Sequence, residues 1–440
     1  MDDKNIVVVG GGFAGTTLTR VLQRSLPDGH RVILVSEESY TTFNPMLAEV
    51  VGAAVFPEQV VAPIRQMIDA SDAGTQFVMG RVMRVDFDSR RILARTLAGV
   101  HAIPYEHLVL AFGTRANMDL VPGLAEHALP LKLVGDAMHI RNRVLQRVAR
   151  IELERDPVER QRLGHFIVIG GGFSGVEVAG GIGDFLRGAL RYYPRVRPPE
   201  LKVTVLHDGG HLLPELPQSL GQAAHRSLQA REIGVRLNAR AACVTADGVT
   251  LDNGEFIPGA TVICTVGTKS NPLAESLGLH RERGRIRARP DMSVFGAANV
   301  WALGDCALVR NAATGEPAPP TAQFAVAQAH ALARNILAVV QGRATESFRH
   351  VAKGKMATTG HLKGVAQVGR LELAGLPAWL LWRAYYLLQM PTLGRKVRIF
   401  VEWTWSMFFA ADITHLRFTR TDEADAPERS TPLSSVRPAP

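Results

Sequence analysis

The feature that most constrains this chain is a glycine-rich turn that directly follows an apolar strand near the N-terminus. Residues 6–9 read IVVV, and a run that is apolar on both faces is typical of a central strand in a parallel sheet. Residues 10–15 then read GGGFAG, and a helix is predicted over residues 16–26. The spacing G-x-G-x-x-G serves a tight turn, close approach of backbone to a pyrophosphate, and close packing of helix on strand. The three glycines are Gly10, Gly12 and Gly15.

The same turn occurs again 160 residues further along the chain. Residues 165–175 read HFIVIGGGFSG and repeat the spacing with Gly170, Gly172 and Gly175. One such motif is a weak signal, because glycine-rich turns often only connect elements, but two in the same frame are rare by chance. Each helix start presents free N–H groups and a partial positive charge to a phosphate. We therefore predict two dinucleotide sites, one for a flavin cofactor and one for a nicotinamide nucleotide.

Length and composition permit two or three folded domains, since the chain has 440 residues, 46% hydrophobic and 21% charged. No run of 18 apolar residues predicts a membrane-spanning helix, and the first strand begins too early to leave room for a targeting peptide. The net charge of +9 indicates a polyanionic partner, and without a nucleic-acid-binding motif we expect no nucleic acid. The cysteines show neither C-x-x-C nor metal-ligand spacing, so we expect no disulfide, dithiol or metal site. They are Cys243, Cys264 and Cys306.

An acid at the end of the strand that follows each turn is a candidate ligand for the nucleotide ribose. In the first unit this is Glu37, although Ser36 before it and Glu38 after it leave the register open by one residue. In the second unit the corresponding strand ends at His207 and Asp208. Asp208 suits a ribose diol and favours NADH, whereas His207 could tolerate a 2′-phosphate, so NADPH stays open.

Two further strand ends carry candidate cofactor contacts. A buried strand is predicted to end at Gly113, where a glycine lets the backbone approach a ligand. Another predicted strand ends in Gly304 and Asp305, and an aspartate there can hydrogen-bond a sugar-alcohol chain. Gly-Asp is also an ordinary turn pair, so this second signal is weak alone.

Two predicted helices carry candidate catalytic residues. Glu177 is placed in the first turn of the helix that opens at Gly175, beside the nicotinamide end of the nucleotide, although the helix dipole alone would favour an acid there. A helix over residues 319–341 carries Gln323 and Gln328, uncharged hydrogen-bonding groups among small apolar residues. The alternative for that helix is a core element with two exposed amides.

The C-terminal region differs from the rest in composition. Residues 379–409 contain four of the five tryptophans, interleaved with basic residues and divided by Pro391 into two helix-sized pieces too short and charged to span a bilayer. This pattern suits helices that lie in the interface of an anionic membrane, and a subunit contact is the alternative. Residues 421–440 are polar and proline-rich and are predicted to be disordered. The tryptophans and basic residues are Trp379, Trp382, Trp403, Trp405, Arg383, Arg395, Lys396 and Arg398.

With these pieces placed, the sequence resembles the type II NADH dehydrogenases, single-subunit flavoenzymes that pass electrons from NADH to membrane quinone. The likeness runs from about residue 5 to about residue 418. The glycine motifs are common to all flavoproteins with two dinucleotide sites, whereas the glutamine motif and the aromatic motif are more particular to this family. The motifs are GGGFAG at 10–15, GGGFSGVEVAG at 170–180, LGDC at 303–306, PPTAQFAVAQ at 319–328 and AWLLWRAYYL at 378–387.

The resemblance implies FAD on the first unit and NADH on the second. It implies that Glu177 helps to couple protons near the nicotinamide, and that Gln323 and Gln328 form the quinone side of the site. The sequence departs from the family at Gly181, where an acid is usual, and at His207, where a glutamate is common. The residues implied near FAD are Gly12, Phe13, Ala14 and Asp305, the last on the ribityl chain, and those implied around NADH are Gly172, Phe173, Ser174 and Gly175.

We therefore predict an α/β fold with two Rossmann-like domains for FAD and NAD, and a C-terminal membrane-associating segment. The predicted FAD domain covers 1–120 and 285–345, the NAD(P)H domain 121–284, and the C-terminal domain 346–420. The predicted activity is two-electron transfer from NADH through flavin to quinone without proton pumping, in a peripheral protein on the cytoplasmic side of the cell membrane. It would meet the anionic surface through residues 378–410, and a homodimer is possible. The alternatives are a sulfide:quinone oxidoreductase, for which Cys306 lacks an obvious partner, and a non-catalytic nucleotide-sensing flavoprotein.

Overall fold

The computed structural model describes residues 4–69, 74–409 and 411–416, so the predicted disordered tail at 421–440 lies outside the described residues. The helices are α1 Phe13–Leu22, α2 Leu47–Val51, α3 Ile64–Met67, α4 Leu124–His127, α5 Val134–Leu153, α6 Pro157–Leu163, α7 Phe173–Ala189, α8 Gln218–Gln229, α9 Pro272–Ser276, α10 Ala322–Val340, α11 Leu376–Gln389 and α12 Leu393–Phe408. The strands to the end of the first half are β1 Asn5–Val9, β2 Arg31–Ser36, β3 Tyr40–Thr42, β4 Val61–Pro63, β5 Thr75–Asp86, β6 Arg91–Thr96, β7 Gly99–Pro104, β8 His107–Leu110, β9 Thr114–Ala116, β10 Ala128–Pro130, β11 His165–Ile169 and β12 Lys202–Leu206. The remaining strands are β13 Gly234–Arg236, β14 Ala241–Thr245, β15 Gly248–Leu251, β16 Phe256–Pro258, β17 Thr261–Cys264, β18 Thr268–Ser270, β19 Arg281–Glu282, β20 Arg285–Arg287, β21 Val300–Ala302, β22 Ala307–Leu308, β23 Lys355–Gly360, β24 Lys363–Val368 and β25 Leu371–Ala374.

The first sheet has the order β21-β8-β1-β2-β5-β6-β7, with β1 paired in parallel to both β2 and β8. Every residue of β1 is buried, as expected for a strand covered on both faces. The first helix, α1, begins at Phe13 rather than at the predicted Thr16, because the helix already starts inside the glycine motif with Gly12 as its N-cap. Helices α1 and α10 pack against each other over this sheet. The glycine turn thus lies at the carboxyl end of a central strand.

The second sheet has the order β10-β17-β11-β12-β13 and is parallel throughout. Its central strand β11 is fully buried and runs into the second glycine turn and α7, as β1 runs into α1. The predicted α/β architecture with two Rossmann-like units is therefore confirmed. The domain limits that we place at residues 120, 284 and 345 stay a prediction.

The C-terminal region forms the antiparallel sheet β23-β24-β25, with α11 packed on it and α7 packed against β23. The prediction that all four tryptophans of this region lie at a membrane interface is wrong for three of them. Trp379, Trp382 and Trp403 are 2%, 1% and 3% exposed, because α11 and α12 turn these indoles toward the sheet and the helices of the second unit. Trp405 is 60% exposed. Across the stretches that the structure describes, every helix is too short or too polar to cross a bilayer.

Candidate functional site

The first glycine turn has the geometry that a pyrophosphate needs. Gly10 has φ of +117°, and a Cβ there would overlap the backbone of Ala111. A Cβ on Gly15 would overlap the carbonyl oxygen of Gly10, so strand and helix can pack this closely only without side chains. Gly12, at the N-cap of α1, faces open space on its Cβ side. The residues present therefore fit a phosphate at the N-terminus of the helix, where the free N–H groups lie.

A cavity of about 250 Å³ lies beside this turn, between the end of β2 and the start of α9. Gly10, Ser36 and Glu37 line it. The Glu37 carboxylate is 3.3 Å from the Arg115 guanidinium and 3.8 Å from that of Arg81, and its side chain is 45% exposed. Ser36 is 8% exposed and packs against the underside of the turn. Glu37 is therefore the more accessible of the two candidate ribose ligands.

The Gly304–Asp305 turn is held against the first glycine turn. A Cβ on Gly304, which has φ of +72°, would lie 3.2 Å from the Ala14 side chain. The N–H of Gly304 donates to the side-chain oxygen of Gln328 at 2.7 Å. Gln328 is only 1% exposed, so the alternative of two exposed amides is wrong for this residue. Gln323, the second residue of α10, is partly exposed.

Asp305 is the acid that this turn presents. Its carboxylate is 3.8 Å from the Lys132 ammonium, and its side chain is 27% exposed. It borders a cavity of about 270 Å³ that Thr114 and Arg285 also line. Gly113, the residue before Thr114, has φ of +62° and open space on its Cβ side. The structure thus brings Asp305 and Gly113, which are far apart in sequence, to the same side of the first unit.

The second glycine turn repeats the backbone geometry of the first. Gly170 has the same φ of +117°, and its N–H donates to Leu206 at 2.8 Å, as Gly10 donates to Val35 at 2.8 Å. A Cβ on Gly175 would overlap the Gly170 carbonyl oxygen, whereas Gly172 faces open space. Phe173 begins α7, and the next residue, Ser174, is exposed. A second dinucleotide therefore fits this turn on the same physical grounds.

His207 and Asp208 have different positions at the end of β12. His207 is 8% exposed, and its Nδ1 accepts the N–H of Gly171 at 3.3 Å. The ring lies so close to this turn that a Cβ on Gly171 would be 2.6 Å from it. The Asp208 side chain is 69% exposed. His207 therefore supports the turn from below, and Asp208 is the group accessible to a ribose.

Glu177 is buried in the second turn of α7, as the fifth residue of that helix. The expectation that it lies in the first turn, where the helix dipole would favour an acid, is therefore wrong. Its Oε1 accepts the backbone N–H of Thr358 and the indole N–H of Trp382, both at 3.1 Å. Burial raises the pKa of Glu177 to about 8, and the carboxylate of Glu49 adds to the rise. Glu177 therefore keeps its proton at neutral pH.

Sequence reasoning missed Glu49, on α2. Its Oε2 accepts the indole N–H of Trp403 at 3.2 Å. Burial raises the pKa of Glu49, and the nearby Arg383 guanidinium opposes the rise. The signal for it was an acid within the apolar run MLAEVV at residues 46–51, which no motif distinguishes from a surface glutamate.

A chain of aromatic rings connects the first glycine turn to Glu177. The Phe13 ring is 5.5 Å from that of Phe43, and Phe43 is 5.8 Å from Tyr386. Tyr386 is 4.7 Å from Trp382, which donates its indole N–H to Glu177. Helix α11 of the C-terminal region therefore links the first turn and the buried acid of the second unit into one site.

The cysteines do not form a sulfur-carrying pair. Cys306 is 3% exposed, and its thiol donates to the carbonyl oxygens of Leu110 and Leu303. Burial raises the pKa of this thiol to about 12. Cys243 and Cys264 are also free thiols and belong to strands of the second unit. This arrangement does not favour the sulfide:quinone alternative, which needs two reactive sulfurs beside the flavin.

The paired glycine turns, each at the end of a central strand with parallel neighbours, define a protein with two dinucleotide sites. The family model described as pyridine nucleotide-disulphide oxidoreductase matches residues 4–329. Among curated proteins, the type II NADH:quinone oxidoreductase NdhA of Mycobacterium tuberculosis is 30% identical over 422 residues, covering 92% of this chain and 87% of that protein. The type II NADH:quinone oxidoreductase Ndh of the same organism is 28% identical, covering 91% and 87%. The chain belongs to the type II NADH:quinone oxidoreductases, within the pyridine nucleotide-disulphide oxidoreductases.

Solved structures agree on the fold. The structure of NDH2 from Plasmodium falciparum in complex with NADH matches with a TM-score of 0.87 at 17% identity, covering 94% of this chain and all of that one. The sulfide:quinone oxidoreductase of Aquifex aeolicus matches with a TM-score of 0.69 at 16% identity, covering 92% and 95%. At these identities the likeness is one of architecture, and the second fold is related but less similar.

Proposed function

We infer that this protein is an FAD-dependent NADH:quinone oxidoreductase that transfers two electrons per turnover without pumping protons. The observation that carries the inference is the pair of matching glycine turns, one of which is closed by the Gly304–Asp305 turn, in a chain of this family. When bound, the flavin accepts a hydride from NADH and passes two electrons to quinone, and this chemistry belongs to the cofactors. The protein supplies binding, orientation and a controlled proton.

The roles of individual residues follow from their positions. We propose that Gly12, Phe13 and Ala14 face the FAD pyrophosphate, with Glu37 at the adenosine ribose and Asp305 at the ribityl chain. The open N-terminus of α1 and the cavity beside Glu37 support this assignment. The residues proposed to bind or line the FAD site are Gly10, Gly12, Phe13, Ala14, Gly15, Glu37, Gly113, Gly304 and Asp305.

The second turn would hold the nicotinamide nucleotide transiently. Asp208, exposed at the end of β12, would bind the ribose diol, which favours NADH over NADPH. Glu177 would hold a proton near the nicotinamide end, and its raised pKa supports this role. Gln323 and Gln328 would lie on the quinone side, where the oxygen of Gln328 is already bound to Gly304 and leaves its amide N–H₂ to donate. The residues proposed around NADH are Gly170, Gly172, Phe173, Ser174, Gly175 and Asp208.

The test is spectroscopic. The purified protein should be yellow, its flavin band should bleach with NADH in the absence of oxygen, and a short-chain quinone should restore it. Absence of FAD after gentle purification would contradict the proposal. Sulfide-dependent quinone reduction without NADH would favour the sulfide alternative. A reduced flavin that no quinone reoxidises would favour the alternative of a non-catalytic nucleotide-sensing flavoprotein.

We propose that the outward face of α12 meets the anionic membrane surface. Phe400, Val401 and Phe408 are 58%, 57% and 76% exposed, and they share this face with further exposed apolar residues. Of the basic residues expected to meet lipid, Arg395 and Lys396 hydrogen-bond within the protein, to Gln59 and to the Leu388 carbonyl, so Arg398 is the freer cation. The other exposed apolar residues of this face are Leu393, Val397 and Trp405.

We expect the double variant Phe400→Glu, Phe408→Glu to lose most of its binding to vesicles that contain anionic lipid, because two apolar side chains of the face become charged. Co-sedimentation with vesicles measures this. The matched control is Leu153→Glu at the end of α5, where a leucine is 66% exposed on another surface. Equal binding of the double variant and the wild type would contradict the membrane proposal. Mass that rises with protein concentration without lipid would instead assign the face to a second copy of the chain.

A further inference from the structure

Helices α2 and α7 approach each other closely because glycines form their contact. A Cβ on Gly52 would lie 3.1 Å from the Cα of Gly181, and a Cβ on Gly181 would lie 3.1 Å from the Ala48 carbonyl oxygen. Glu177 precedes Gly181 by four residues and so lies on the same face of α7. Glu49 lies next to Ala48 on α2. The close contact of the two helices therefore brings an acid from α2 near Glu177, whose pKa the Glu49 carboxylate helps to raise.

The hydrogen-bond partners of the two acids are also neighbours. Trp382 donates to Glu177 and Trp403 donates to Glu49, and the two indole rings are 5.9 Å apart. Both tryptophans are almost fully buried. A single aromatic layer from the C-terminal helices thus holds the two carboxyl groups in place.

The two acids differ in their access to solvent and in their charged neighbours. Glu177 is 9% exposed, whereas Glu49 is partly exposed. The Arg383 guanidinium stacks over Trp379 at 3.8 Å and over Trp403 at 4.9 Å, and its charge favours the ionised form of Glu49. The groups that face the pair are therefore Arg383 and Tyr386 on α11, where burial raises the pKa of the tyrosine and keeps it neutral. Burial raises the pKa of both acids, and only for Glu49 does a guanidinium oppose the rise, so Glu49 ionises before Glu177.

The proton balance of quinone reduction indicates a role for this pair of acids. This inference rests on the proposed function. Reduction of a quinone to a quinol takes up two electrons and two protons. NADH supplies two electrons and one proton as a hydride, so one proton per turnover comes from water. We propose that Glu49 is a positioning residue that shares a proton with Glu177 and returns to it, from solvent, the proton that quinone reduction consumes. Glu177 is thereby reprotonated without direct contact with bulk water.

The direct test is the infrared carbonyl band of protonated carboxyl groups, followed against pH in the protein as purified. Glu177→Gln identifies the Glu177 band by removing it. Glu49→Gln removes a neighbouring negative charge, so we expect the midpoint of the Glu177 band to fall by about one pH unit. The matched control is Glu402→Gln, because Glu402 lies on α12 and accepts the N–H of Phe56 at 3.0 Å, away from the pair. The control should leave the midpoint unchanged.

Kinetics supply a second readout. In Glu49→Gln we expect reoxidation by quinone to slow about tenfold, with a changed pH profile, while bleaching by NADH keeps its rate. A small weak acid such as formic acid, added in excess, should restore much of the lost rate by carrying the proton. If Glu49→Gln folds poorly, Trp403→Phe removes the hydrogen bond to Glu49 and keeps an aromatic ring, and it should shift the band midpoint in the same direction.

An unchanged band midpoint together with an unchanged reoxidation rate in Glu49→Gln would overturn the inference. Equal effects in Glu402→Gln would also overturn it, because they would show a general loss of packing. The infrared titration requires no turnover, so it separates a failure of the pair from a failure of the proposed function. The latter would show in the wild type, as a flavin that NADH does not bleach or quinone does not restore.

Discussion

The two glycine turns have the same backbone but different surroundings. Gly10 and Gly170 share a φ of +117°, and Gly12 and Gly172 both cap a helix with open space before them. The first turn is enclosed by a second loop, since Gly304 packs on Ala14, and its strand-end acid is paired with arginines. The second turn has an exposed Asp208 in the corresponding place. The same glycine turn can thus retain a cofactor where another loop covers it, or release a substrate where it is left open.

The largest expected effect comes from adding one methyl group to each turn. Gly15→Ala should lower FAD affinity at least about a hundredfold, or about 3 kcal/mol, because its Cβ overlaps the backbone of Gly10. Such protein should be isolated nearly colourless. The Gly175→Ala protein should stay yellow, but its affinity for NADH, followed by bleaching of the flavin band, should fall by a similar factor. Absorbance of the purified protein and anaerobic NADH titration measure the two effects.

The control for these variants is Gly188→Ala, within α7, where a Cβ meets no atom within 4 Å. Alanine should be neutral there or stabilise the helix by up to about 1 kcal/mol. If Gly175→Ala were isolated without FAD, while Gly15→Ala kept its FAD but was not bleached by NADH, the assignment of the two turns would be reversed.

The next effect concerns the strand-end acids. Asp208→Ala should raise the KM for NADH about ten- to a hundredfold with little change in kcat, since hydrogen bonds to a charged group are worth about 1.5–3 kcal/mol. Glu37→Ala should weaken FAD retention and leave that KM unchanged. Steady-state kinetics with NADH and NADPH measure the first, and flavin release on dilution measures the second. Asp252→Ala, an exposed acid on the same unit as Asp208, is the control.

The last comparison concerns stability rather than ligand binding. Glu177 keeps its proton to about pH 8 in the folded protein, whereas its ordinary pKa is 4.5. Between these values the folded state binds more protons than the unfolded state, so the free energy of unfolding falls as pH rises. Glu177→Gln should remove the contribution of Glu177 to this decrease in the free energy of unfolding. Thermal unfolding of both proteins between pH 5 and pH 8.5 tests it, and parallel Tm curves would contradict the buried protonated acid.

The fold and the cofactor turns could be predicted from sequence because they depend on local rules. The glycine spacing indicates where the backbone packs too closely for a side chain. Gly15 and Gly175 could therefore be recognised from the sequence. Asp305 carried only a weak signal, and it was assigned through resemblance to a family. Its nearness to the first turn depends on Gln328 and Ala14, which come from other parts of the chain.

Other parts of the site could not be predicted because they depend on packing between distant segments. Glu49 lies in a short helix whose sequence resembles that of any half-buried helix. The indoles of Trp382 and Trp403 suited a membrane interface on composition alone, since aromatic and basic residues also occur together there. Only the approach of α11 and α12 to the second unit reveals that these indoles bind Glu177 and Glu49.

Helices α11 and α12 therefore have an inner side, which holds the two buried acids, and an outer side, which is proposed to meet the membrane. Truncation before Leu376 would remove a proposed anchor, and it would also leave Glu177 and Glu49 without their indole donors. A truncated protein that neither binds vesicles nor turns over would consequently not show whether membrane attachment matters for turnover. Substitutions confined to the outward residues Phe400 and Phe408 test the proposed attachment without removing the buried indole contacts to Glu177 and Glu49.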